Sequence, residues 1–494
     1  MEAAFQLINH IGCVKIEHKT NRVQPDAFYF DTPFLISTIN KMTKTNLIII
    51  GSGPGGYRAA HYAAQHGLTV TIIEAAEAGG TCLNRGCIPT KTLCRNAEVI
   101  DTMQHADVFG VALDGFQLQF PKVMERKQHV VEQLRSGIET LMQTPGITFV
   151  HGFAHFKDSK TVVVGDEEYT ADNIMIATGS DSKCPPIEGT TLPGVITSTE
   201  LLDIDNIPER LCIIGAGVIG MEFASVFSSF GSKVSVIEFL KECLPVLDSD
   251  IAKRLRQTIG KRGVEFSMQS AVKSIAETTT EDGKRQLTIT YEKKGKPAQV
   301  DADVVLIATG RKPNIEGLDL ELAGVEYSPK GIAVDDDFRT NVESIYAIGD
   351  VNGRCMLAHA ATFQGLHVVN KILGKEDEIN FDVMPSAIFT YPEAASVGKS
   401  EDQLKAEGCE YECRKGFHRS NGKALAMNET DGMVKLLVNK ADGKLLGCHA
   451  FGAHSSDMVQ EISALMSKGA TITDLANAIH IHPTIGEILH DIAL

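Results

Sequence analysis

The fold is decided by the stretch Ile48-Ile49-Ile50-Gly51-Ser52-Gly53-Pro54-Gly55-Gly56. Its apolar run is typical of a strand, and its glycines follow the pattern Gly-x-Gly-x-x-Gly. An Ala-rich segment typical of a helix comes next, and then a second apolar run that ends at Glu74. Such glycines permit a tight turn and a close approach to a ligand, while the helix N-terminus can hold a pyrophosphate. Glu74 can accept hydrogen bonds from a ribose. The stretch therefore predicts a strand–helix–strand unit that binds a dinucleotide.

The same pattern occurs a second time. Cys212-Ile213-Ile214-Gly215-Ala216-Gly217-Val218-Ile219-Gly220 repeats the strand and the glycines, and residues 234–238 repeat the second strand, ending at Glu238. Residues 173–180 and 304–311 are also near copies of each other, and each copy is expected to be a strand that ends beside a nucleotide. One glycine fingerprint alone is a weak signal, but two complete units are not. We predict two domains of this kind and two bound dinucleotides.

Two cysteines lie just downstream of the first fingerprint, in Gly79-Gly80-Thr81-Cys82-Leu83-Asn84-Arg85-Gly86-Cys87-Ile88-Pro89-Thr90-Lys91. On a regular helix, residues five positions apart point to different faces, and their Cα atoms lie beyond the roughly 7 Å that a disulfide tolerates. We therefore expect irregular backbone around Cys82 before a helix begins, with Gly86 and Pro89 permitting the break. The spacing alone also fits two buried cysteines that never meet. With its flanking residues, the pair is interpreted as one that cycles between disulfide and dithiol.

The composition describes a large acidic protein. The chain has 494 residues and a formal charge of −16 at pH 7, and its length predicts about three domains. The negative charge disfavours nucleic acids and anionic membranes as partners. The eleven cysteines are odd in number and scattered, unlike an extracellular disulfide framework, so most are expected to be thiols in a reducing compartment. No apolar run approaches the roughly 18 to 20 residues of a membrane span. A cytoplasmic location is predicted.

In order and spacing, these motifs resemble those of the flavin-dependent pyridine nucleotide–disulfide oxidoreductases. The resemblance covers residues 43–494 and includes Ile345-Tyr346-Ala347-Ile348-Gly349-Asp350, Met356-Leu357-Ala358-His359-Ala360 and His480-Ile481-His482-Pro483-Thr484-Ile485-Gly486-Glu487. It implies FAD at the first fingerprint, a nicotinamide cofactor at the second and no metal site. The implied reaction is oxidation of protein-bound dihydrolipoamide. The implied partners are a homodimer mate and a lipoylated carrier of a 2-oxo acid dehydrogenase complex or the glycine cleavage system.

The resemblance also implies roles for individual residues. Cys82 is then the interchange thiol and Cys87 the thiol beside the flavin. Lys91 is expected near the flavin N5, with Glu222 as its partner, and Glu74 on the adenosine ribose. The residues expected to contact one of the two cofactors are Gly51, Gly53, Gly56, Glu74, Thr81, Lys91, Gly152, Thr178, Gly179, Ser180, Gly215, Gly217, Val218, Gly220, Glu222, Glu238, Val272, Gly310, Arg311, Asp350, Met356, Leu357, Ala358 and His359.

The closing motif supplies the expected base. By the resemblance, His482 accepts a proton from the substrate dithiol, and Glu487 orients the imidazole and stabilises its charged form. The resemblance also suggests a cis peptide bond before Pro483. Since the family's C-terminal domain reaches across a dimer, His482 is expected to serve the cysteine pair of the other subunit.

The choice of nicotinamide cofactor follows from charge. Glu238 can bond both ribose hydroxyls of NAD, whereas a 2′-phosphate would meet its carboxylate. The next residues are Phe239, Leu240, Lys241 and Glu242, which offer no arginine pair. NAD is thus favoured over NADP, which also disfavours glutathione reductase. Mercuric reductase is disfavoured because residues 488–494 contain no cysteine pair. The open alternatives are another disulfide reductase of the family and a non-catalytic flavoprotein subunit.

The predicted fold class is α/β, with two Rossmann-like dinucleotide-binding domains and a C-terminal α+β dimerisation domain. The predicted boundaries are 43–190 for the first part of the FAD-binding domain, 191–310 for the NAD-binding domain, 311–383 for the return to the FAD-binding domain, and 384–494 for the dimerisation domain. Residues 1–42 are expected to be a disordered extension without a catalytic role, with a natural start near Met42. A mitochondrial presequence is the alternative.

Overall fold

The first fingerprint folds as a parallel strand–helix–strand unit. A computed structural model describes residues 43–280 and 283–494, so the predicted extension at residues 1–42 lies outside the described residues. Strand β1 (Thr43–Ile50) leads into helix α1 (Pro54–Gln65), and the chain returns through strand β2 (Val70–Glu74). The two strands pair in parallel, with Ile50 opposite Ile73. Strand β2 is buried throughout and β1 over its last four residues, as expected of parallel strands with helices on their faces.

The first domain continues through the cysteine block. Its next elements are α2 (Gly80–Arg85), α3 (Cys87–Gln104), α4 (Phe120–Leu141), β3 (Ile147–His151), β4 (Ala154–Phe156), β5 (Thr161–Val164), β6 (Glu167–Ile176) and β7 (Ser180–Ser182). The sheet has the order β3-β2-β1-β6-β5-β4. Its strands β3, β2, β1 and β6 are parallel, whereas β5 and β4 are joined to β6 as an antiparallel meander.

The second domain repeats this plan. Its elements are β8 (Val195–Ile196), α5 (Ser198–Leu201), β9 (Arg210–Ile214), α6 (Val218–Ser229), β10 (Lys233–Ile237), α7 (Ser249–Lys261), β11 (Glu265–Ser267), β12 (Ser270–Thr279), β13 (Arg285–Lys293), β14 (Lys296–Ala302), β15 (Val304–Ile307) and β16 (Arg311–Pro313). A parallel sheet has the order β11-β10-β9-β15-β8, and β12, β13 and β14 form a separate antiparallel sheet. The near copies seen in the sequence end in β7 and β16, which pair with each other, so the two repeats meet at equivalent positions.

The chain then returns to the first domain. The elements of this return are β17 (Tyr327–Ser328), β18 (Gly331–Ile332), β19 (Ile345–Ala347) and α8 (Ala358–Ile372). Strand β19 pairs in parallel with the C-terminal half of β6, which makes the first sheet seven-stranded. Helix α8 packs closely against α1. A Cβ at Gly55 would lie only 2.9 Å from the carbonyl oxygen of Ala361, so only glycine fits there. The first domain is therefore built from two separate parts of the chain.

The last part of the chain is an α+β domain. Its elements are β20 (Ser386–Ile388), β21 (Ala394–Gly398), α9 (Glu401–Glu407), β22 (Tyr411–Phe417), α10 (Gly422–Met427), β23 (Met433–Asn439), β24 (Leu445–Phe451), α11 (Ser455–Ser467), α12 (Ile472–Ala476) and α13 (Glu487–Ala493). The sheet order is β20-β21-β24-β23-β22, with every pair antiparallel. The alternating segments 432–438 and 444–451 predict strands of a mixed sheet; the strands are present, but the prediction of a mixed sheet is wrong. Strands β23 and β24 are joined by a turn too short for a parallel crossover.

No helix within residues 43–280 and 283–494 is long and apolar enough to cross a membrane.

A buried ion network joins the second domain to the C-terminal domain. The Lys435 side chain on β23 is only 1% exposed. Its Nζ donates to Asp248 Oδ1 at 2.7 Å and lies 2.5 Å from Glu401 Oε2. Asp248 also caps α7 by accepting from the N–H of Asp250, and it accepts from the N–H of Glu401. Burial alone would raise the pKa of Glu401, but hydrogen bonds from Lys435, Lys405 and Tyr411 lower it to about 2.

Replacing the central cation should weaken this junction. We expect Lys435→Met to lower stability by roughly 3 kcal/mol, since it leaves the buried carboxylate of Asp248 without its cation. The double variant Asp248→Asn/Lys435→Met should recover part of the loss. The measurement is the midpoint of thermal unfolding. The low pKa of folded Glu401 stabilises the protein above the ordinary value of 4.5, and this contribution is lost as pH falls towards 2. Lys435→Met should therefore reduce acid sensitivity in that window. Equal melting of wild type and Lys435→Met would contradict the prediction.

Candidate redox and dinucleotide site

The two cysteines lie on successive helices that break between them. Helix α2 contains Cys82 and ends at Arg85, and α3 begins at Cys87. Gly86 between them has φ −146° and ψ −113°, outside the helical region. The break that Gly86 was predicted to permit is present, but the irregular backbone predicted around Cys82 itself was wrong, because Cys82 lies in a helix. Gly79 and Gly80, with φ of 96° and 61°, complete the turn earlier, so α2 has already begun at Cys82. The break at Gly86 brings the two thiols into hydrogen-bond contact.

The paired thiols have opposite electrostatic surroundings. The hydrogen bond from Cys82 lowers the pKa of Cys87 to about 7, and the Lys91 ammonium lowers it further against burial and the charge of Glu222. The hydrogen bond to Cys87 and burial raise the pKa of Cys82. Cys87 is therefore the thiol that ionises first.

An ion pair holds Lys91 beside these thiols. Lys91 Nζ donates to both carboxylate oxygens of Glu222, each at 2.9 Å. The Glu222 side chain, on α6 of the second domain, is 3% exposed. Burial would lower the pKa of Lys91, but the carboxylate of Glu222 and the thiolate of Cys87 raise it. The pair thus joins the first and second domains directly at the cysteines and keeps a positive charge there.

The two fingerprints form matching cradles. Gly51 and Gly215 have φ of 103° and 108°, and a Cβ on either would overlap a carbonyl oxygen of the neighbouring strand, that of Ala177 or Ala308. A Cβ on the next fingerprint glycine, Gly53 or Gly217, would meet no heavy atom within 4 Å. Each turn therefore leaves an open surface at the N-terminus of its helix. Such a surface fits the pyrophosphate of a dinucleotide.

The acids at the strand ends are held by the same turns. Glu74 accepts from the N–H of Ser52 at 2.8 Å and that of Ala76 at 2.9 Å. Glu238 likewise accepts from the N–H of Ala216 at 2.6 Å and that of Leu240 at 2.7 Å. Since backbone amides occupy part of each carboxylate, the remaining lone pairs are presented in a fixed direction, as recognition of ribose hydroxyls requires.

One cavity of about 1610 Å³ connects both cradles with the cysteines. Nearly all of the predicted site residues line it: Gly51, Gly53, Glu74, Thr81, Cys82, Cys87, Lys91, Gly152, Thr178, Gly179, Ser180, Gly215, Gly217, Val218, Glu222, Glu238, Val272, Gly310, Arg311, Asp350, Met356, Leu357, Ala358 and His359. Gly56 and Gly220 do not line the cavity, because each faces the carbonyl of its own fingerprint turn. The volume and the two open cradles fit FAD and a nicotinamide dinucleotide.

A polar chain links the two repeats in the wall of this cavity. The hydroxyl of Ser180 donates to Asp350 Oδ2, and Arg311 Nε donates to the Ser180 hydroxyl at 2.7 Å. Ser180 and Arg311 follow the equivalent near-copy strands. The carboxylate of Asp350 is therefore oriented by one residue from each repeat.

The predicted base lies elsewhere on the chain. The cis peptide bond before Pro483 is present. His482 Nδ1 lies 2.9 Å from Glu487 Oε1, and Glu487 Oε2 accepts from the N–H of Thr484 at 2.9 Å. The Thr484 amide and His482 lower the pKa of Glu487. The His482 side chain is 83% exposed and does not line the cavity that contains Cys82 and Cys87.

Two contributors were missed by sequence reasoning. The Ser52 hydroxyl donates to Glu74 at 2.7 Å, and its position inside the fingerprint could have indicated it. Phe389 lines the cavity and contacts both Lys91 and Glu222. No sequence pattern pointed to Phe389, because it comes from the C-terminal domain, about 300 positions after Lys91.

Comparison with known proteins agrees with this geometry. The family model described as pyridine nucleotide-disulphide oxidoreductase matches residues 45–365, and that of its dimerisation domain matches residues 384–493. The chain is 40% identical over 462 residues to a dihydrolipoyl dehydrogenase of Bacillus subtilis, with 91% of this chain and 96% of the relative covered. It is 38% identical over 461 residues to that of Geobacillus stearothermophilus, with the same coverage.

The structural comparison extends over the whole described fold. The HOCl-induced flavoprotein disulfide reductase RclA from Escherichia coli superposes with a TM-score of 0.80 at 31% identity, covering 91% of this chain and 99% of that chain. The α/β fold class and the family resemblance are confirmed, and the match to the dimerisation domain supports a homodimer. The chain belongs to the pyridine nucleotide–disulphide oxidoreductase family.

Proposed function

We propose that the protein is an NAD-dependent, FAD-containing dihydrolipoyl dehydrogenase. The observation that carries this proposal is the Cys82–Cys87 pair, held beside the Lys91–Glu222 ion pair in a cavity with two dinucleotide cradles. Relatives named dihydrolipoyl dehydrogenase match the chain over nine-tenths of its length. The substrate is then a dihydrolipoyl group on a carrier protein of a 2-oxo acid dehydrogenase complex or the glycine cleavage system.

The fit of the cofactors assigns residues to each. The first cradle, with Glu74 and Asp350, would hold FAD, and the second, with Glu238, would hold NAD. When bound, FAD accepts the electron pair of the dithiol and supplies it as hydride to NAD⁺. The carboxylate of Glu238 disfavours a 2′-phosphate on the ribose by charge repulsion.

The cysteines carry out thiol–disulfide exchange. A substrate thiolate attacks Cys82 Sγ of the disulfide, and the bond to Cys87 breaks with its electron pair on Cys87. The second substrate thiol attacks the substrate sulfur bound to Cys82, which closes the lipoyl ring and releases Cys82. The substrate loses two electrons and two protons, and the cysteine pair gains the electrons. The lowered pKa of Cys87 favours it as the leaving thiolate.

His482 would take the proton from the substrate thiol. Its bond to Glu487 sets the orientation of the ring and stabilises the charged imidazole. Because His482 is exposed and outside the cavity of its own chain, we assign it to the cysteine pair of the partner subunit. We place the enzyme in the cytoplasm, since its eleven cysteines are odd in number and scattered, unlike an extracellular disulfide framework.

The direct test is spectroscopic. Dihydrolipoamide should bleach the flavin band near 450 nm of the holoenzyme, and NAD⁺ should restore it. A band unaffected by dihydrolipoamide but bleached by NADH would support another disulfide reductase of the family. A band unaffected by both would support a non-catalytic flavoprotein.

Glu222→Gln should make the redox thiol more acidic. The charge of Glu222 raises the pKa of Cys87, whereas the Lys91 ammonium lowers it. Without the carboxylate, the positive charge of Lys91 is no longer offset and stabilises the Cys87 thiolate more strongly. We expect the pH midpoint for alkylation of Cys87 by iodoacetamide in the reduced holoenzyme to fall, by about half a pH unit or more. Peptide mass spectrometry identifies the alkylated cysteine. Glu242→Gln, which breaks the bidentate pair with Arg256 outside the cavity, is the matched control and should leave the midpoint unchanged. An upward shift in Glu222→Gln would refute the assignment.

His482→Gln should lower dihydrolipoamide turnover by roughly 10² or more, the scale of general-base catalysis. Cys87→Ser should abolish turnover while FAD stays bound. Heterodimers that combine one subunit of each variant should regain one working site, because the intact histidine then faces the intact cysteine pair. Turnover of purified, differently tagged heterodimers is the measurement. If heterodimers are as inactive as both parents, catalysis across the interface is wrong.

The double variant Glu238→Ala/Phe239→Arg should shift cofactor preference towards NADP. Phe239 lines the cavity beside Glu238 and is 74% exposed, so an arginine there can reach a 2′-phosphate. We expect the ratio of kcat/KM for NADP to that for NAD to rise at least about tenfold, equivalent to about 1.4 kcal/mol. Phe239→Arg alone should shift it less, since the carboxylate remains. An unchanged ratio in the double variant would show that the second cradle has been assigned to the wrong ligand.

A further inference from the structure

Phe389 brings the C-terminal domain to the redox site. It lies between β20 and β21, and its N–H donates to Glu222 Oε1 at 2.9 Å. The centroid of its ring lies 5.0 Å from Lys91 Nζ, within the range of a cation–π contact. Three domains therefore meet at the Lys91 ammonium. The first domain supplies Lys91 itself on α3, the second supplies the carboxylate of Glu222 on α6, and the C-terminal domain supplies the ring of Phe389.

The segment that carries Phe389 is held at two positions, Phe389 and Tyr391. Two residues later, the N–H of Tyr391 donates to the hydroxyl of Ser225 at 3.0 Å, one helical turn beyond Glu222 on α6. The Tyr391 ring faces the guanidinium of Arg262, with 4.6 Å between Cζ and the centroid. The Tyr391 hydroxyl is also bonded to Glu429. Two hydrogen bonds to α6 thus hold the backbone of the segment at the position from which the Phe389 ring reaches Lys91.

The ring limits where the ammonium can go. Both carboxylate oxygens of Glu222 accept from Lys91, and Oε1 also accepts from the N–H of Phe389. These hydrogen bonds fix the carboxylate on one side of the ammonium. The ring covers another side of the ammonium, while the thiol of Cys87 lies within its electrostatic reach. Without the ring, the flexible lysine stem could move its charge into the space that opens in the cavity.

We propose that Phe389 is a positioning residue, whose ring holds the Lys91 ammonium between Glu222 and Cys87 and so makes the C-terminal domain a determinant of the redox thiol's reactivity. The relevance to turnover rests on the proposed function, but the placement of the charge does not. The effect is exerted through Lys91, and Phe389 itself takes no part in thiol exchange.

The test compares three variants of the holoenzyme, each reduced with dithionite. Phe389→Leu removes the ring but keeps an apolar side chain and the backbone N–H. Phe389→Tyr keeps the ring. Phe417→Leu is the matched control, because Phe417 is also a partly buried C-terminal-domain aromatic under a cation, with Arg419 Cζ 4.4 Å from its centroid, but it lies outside the redox cavity. The readout is the pH dependence of iodoacetamide alkylation at Cys87, followed by peptide mass spectrometry, with thermal midpoints measured in parallel.

We expect Phe389→Leu to raise the alkylation midpoint of Cys87 by about half a pH unit, the scale of a partly exposed cation–π contact. Phe389→Tyr and Phe417→Leu should keep the wild-type midpoint, even if Phe417→Leu melts at a lower temperature. A wild-type midpoint in Phe389→Leu overturns the proposal, and so does an equal shift in Phe417→Leu. Since dithionite replaces the substrate, these results do not depend on whether dihydrolipoamide is turned over. A wild-type holoenzyme that does not oxidise dihydrolipoamide would refute the proposed function but not the role of Phe389.

Discussion

The ion pair between Lys91 and Glu222 is the interaction on which the site depends. It crosses from the first domain to the second at the point where the cysteines, the two cradles and the C-terminal domain meet. A buried pair of this kind contributes little net stability, because desolvation offsets the attraction, but separating its members would strand a charge. The pair therefore acts as a constraint on geometry. Domains that moved apart here would leave a carboxylate buried without its cation.

The same logic recurs at the other junctions. Lys435 joins the second and C-terminal domains through Asp248 and Glu401, and the buried ammonium of Lys127 on α4 donates to the carbonyl of Leu202 and to Asp203. Each junction places a lysine against acceptors from another part of the chain. Apolar contacts alone are non-directional and tolerate sliding. These charged contacts specify one arrangement of the domains, which a cavity shared by all of them requires.

Local constraints explain what the sequence could predict. The glycine fingerprints were found because Gly51 and Gly215 need a positive φ and a missing Cβ, which only one residue type supplies. The break at Gly86 was predicted, but the short helix that contains Cys82 was missed, because Gly79, Gly80 and Gly86 all permit irregular backbone and only packing decides where a helix begins. Phe389 could not be found, since its contact with Lys91 depends on how distant domains dock.

The return of β19 to the first sheet has a consequence for biosynthesis. The C-terminal half of β6, ending at Ile176, lacks its neighbour on this side until Ile345 to Ala347 have left the ribosome. The whole second domain is made in the interval, and domains generally fold as units during synthesis. The inserted domain can therefore fold while the edge of β6 is still unpaired, and this edge is then open to pairing with other nascent chains.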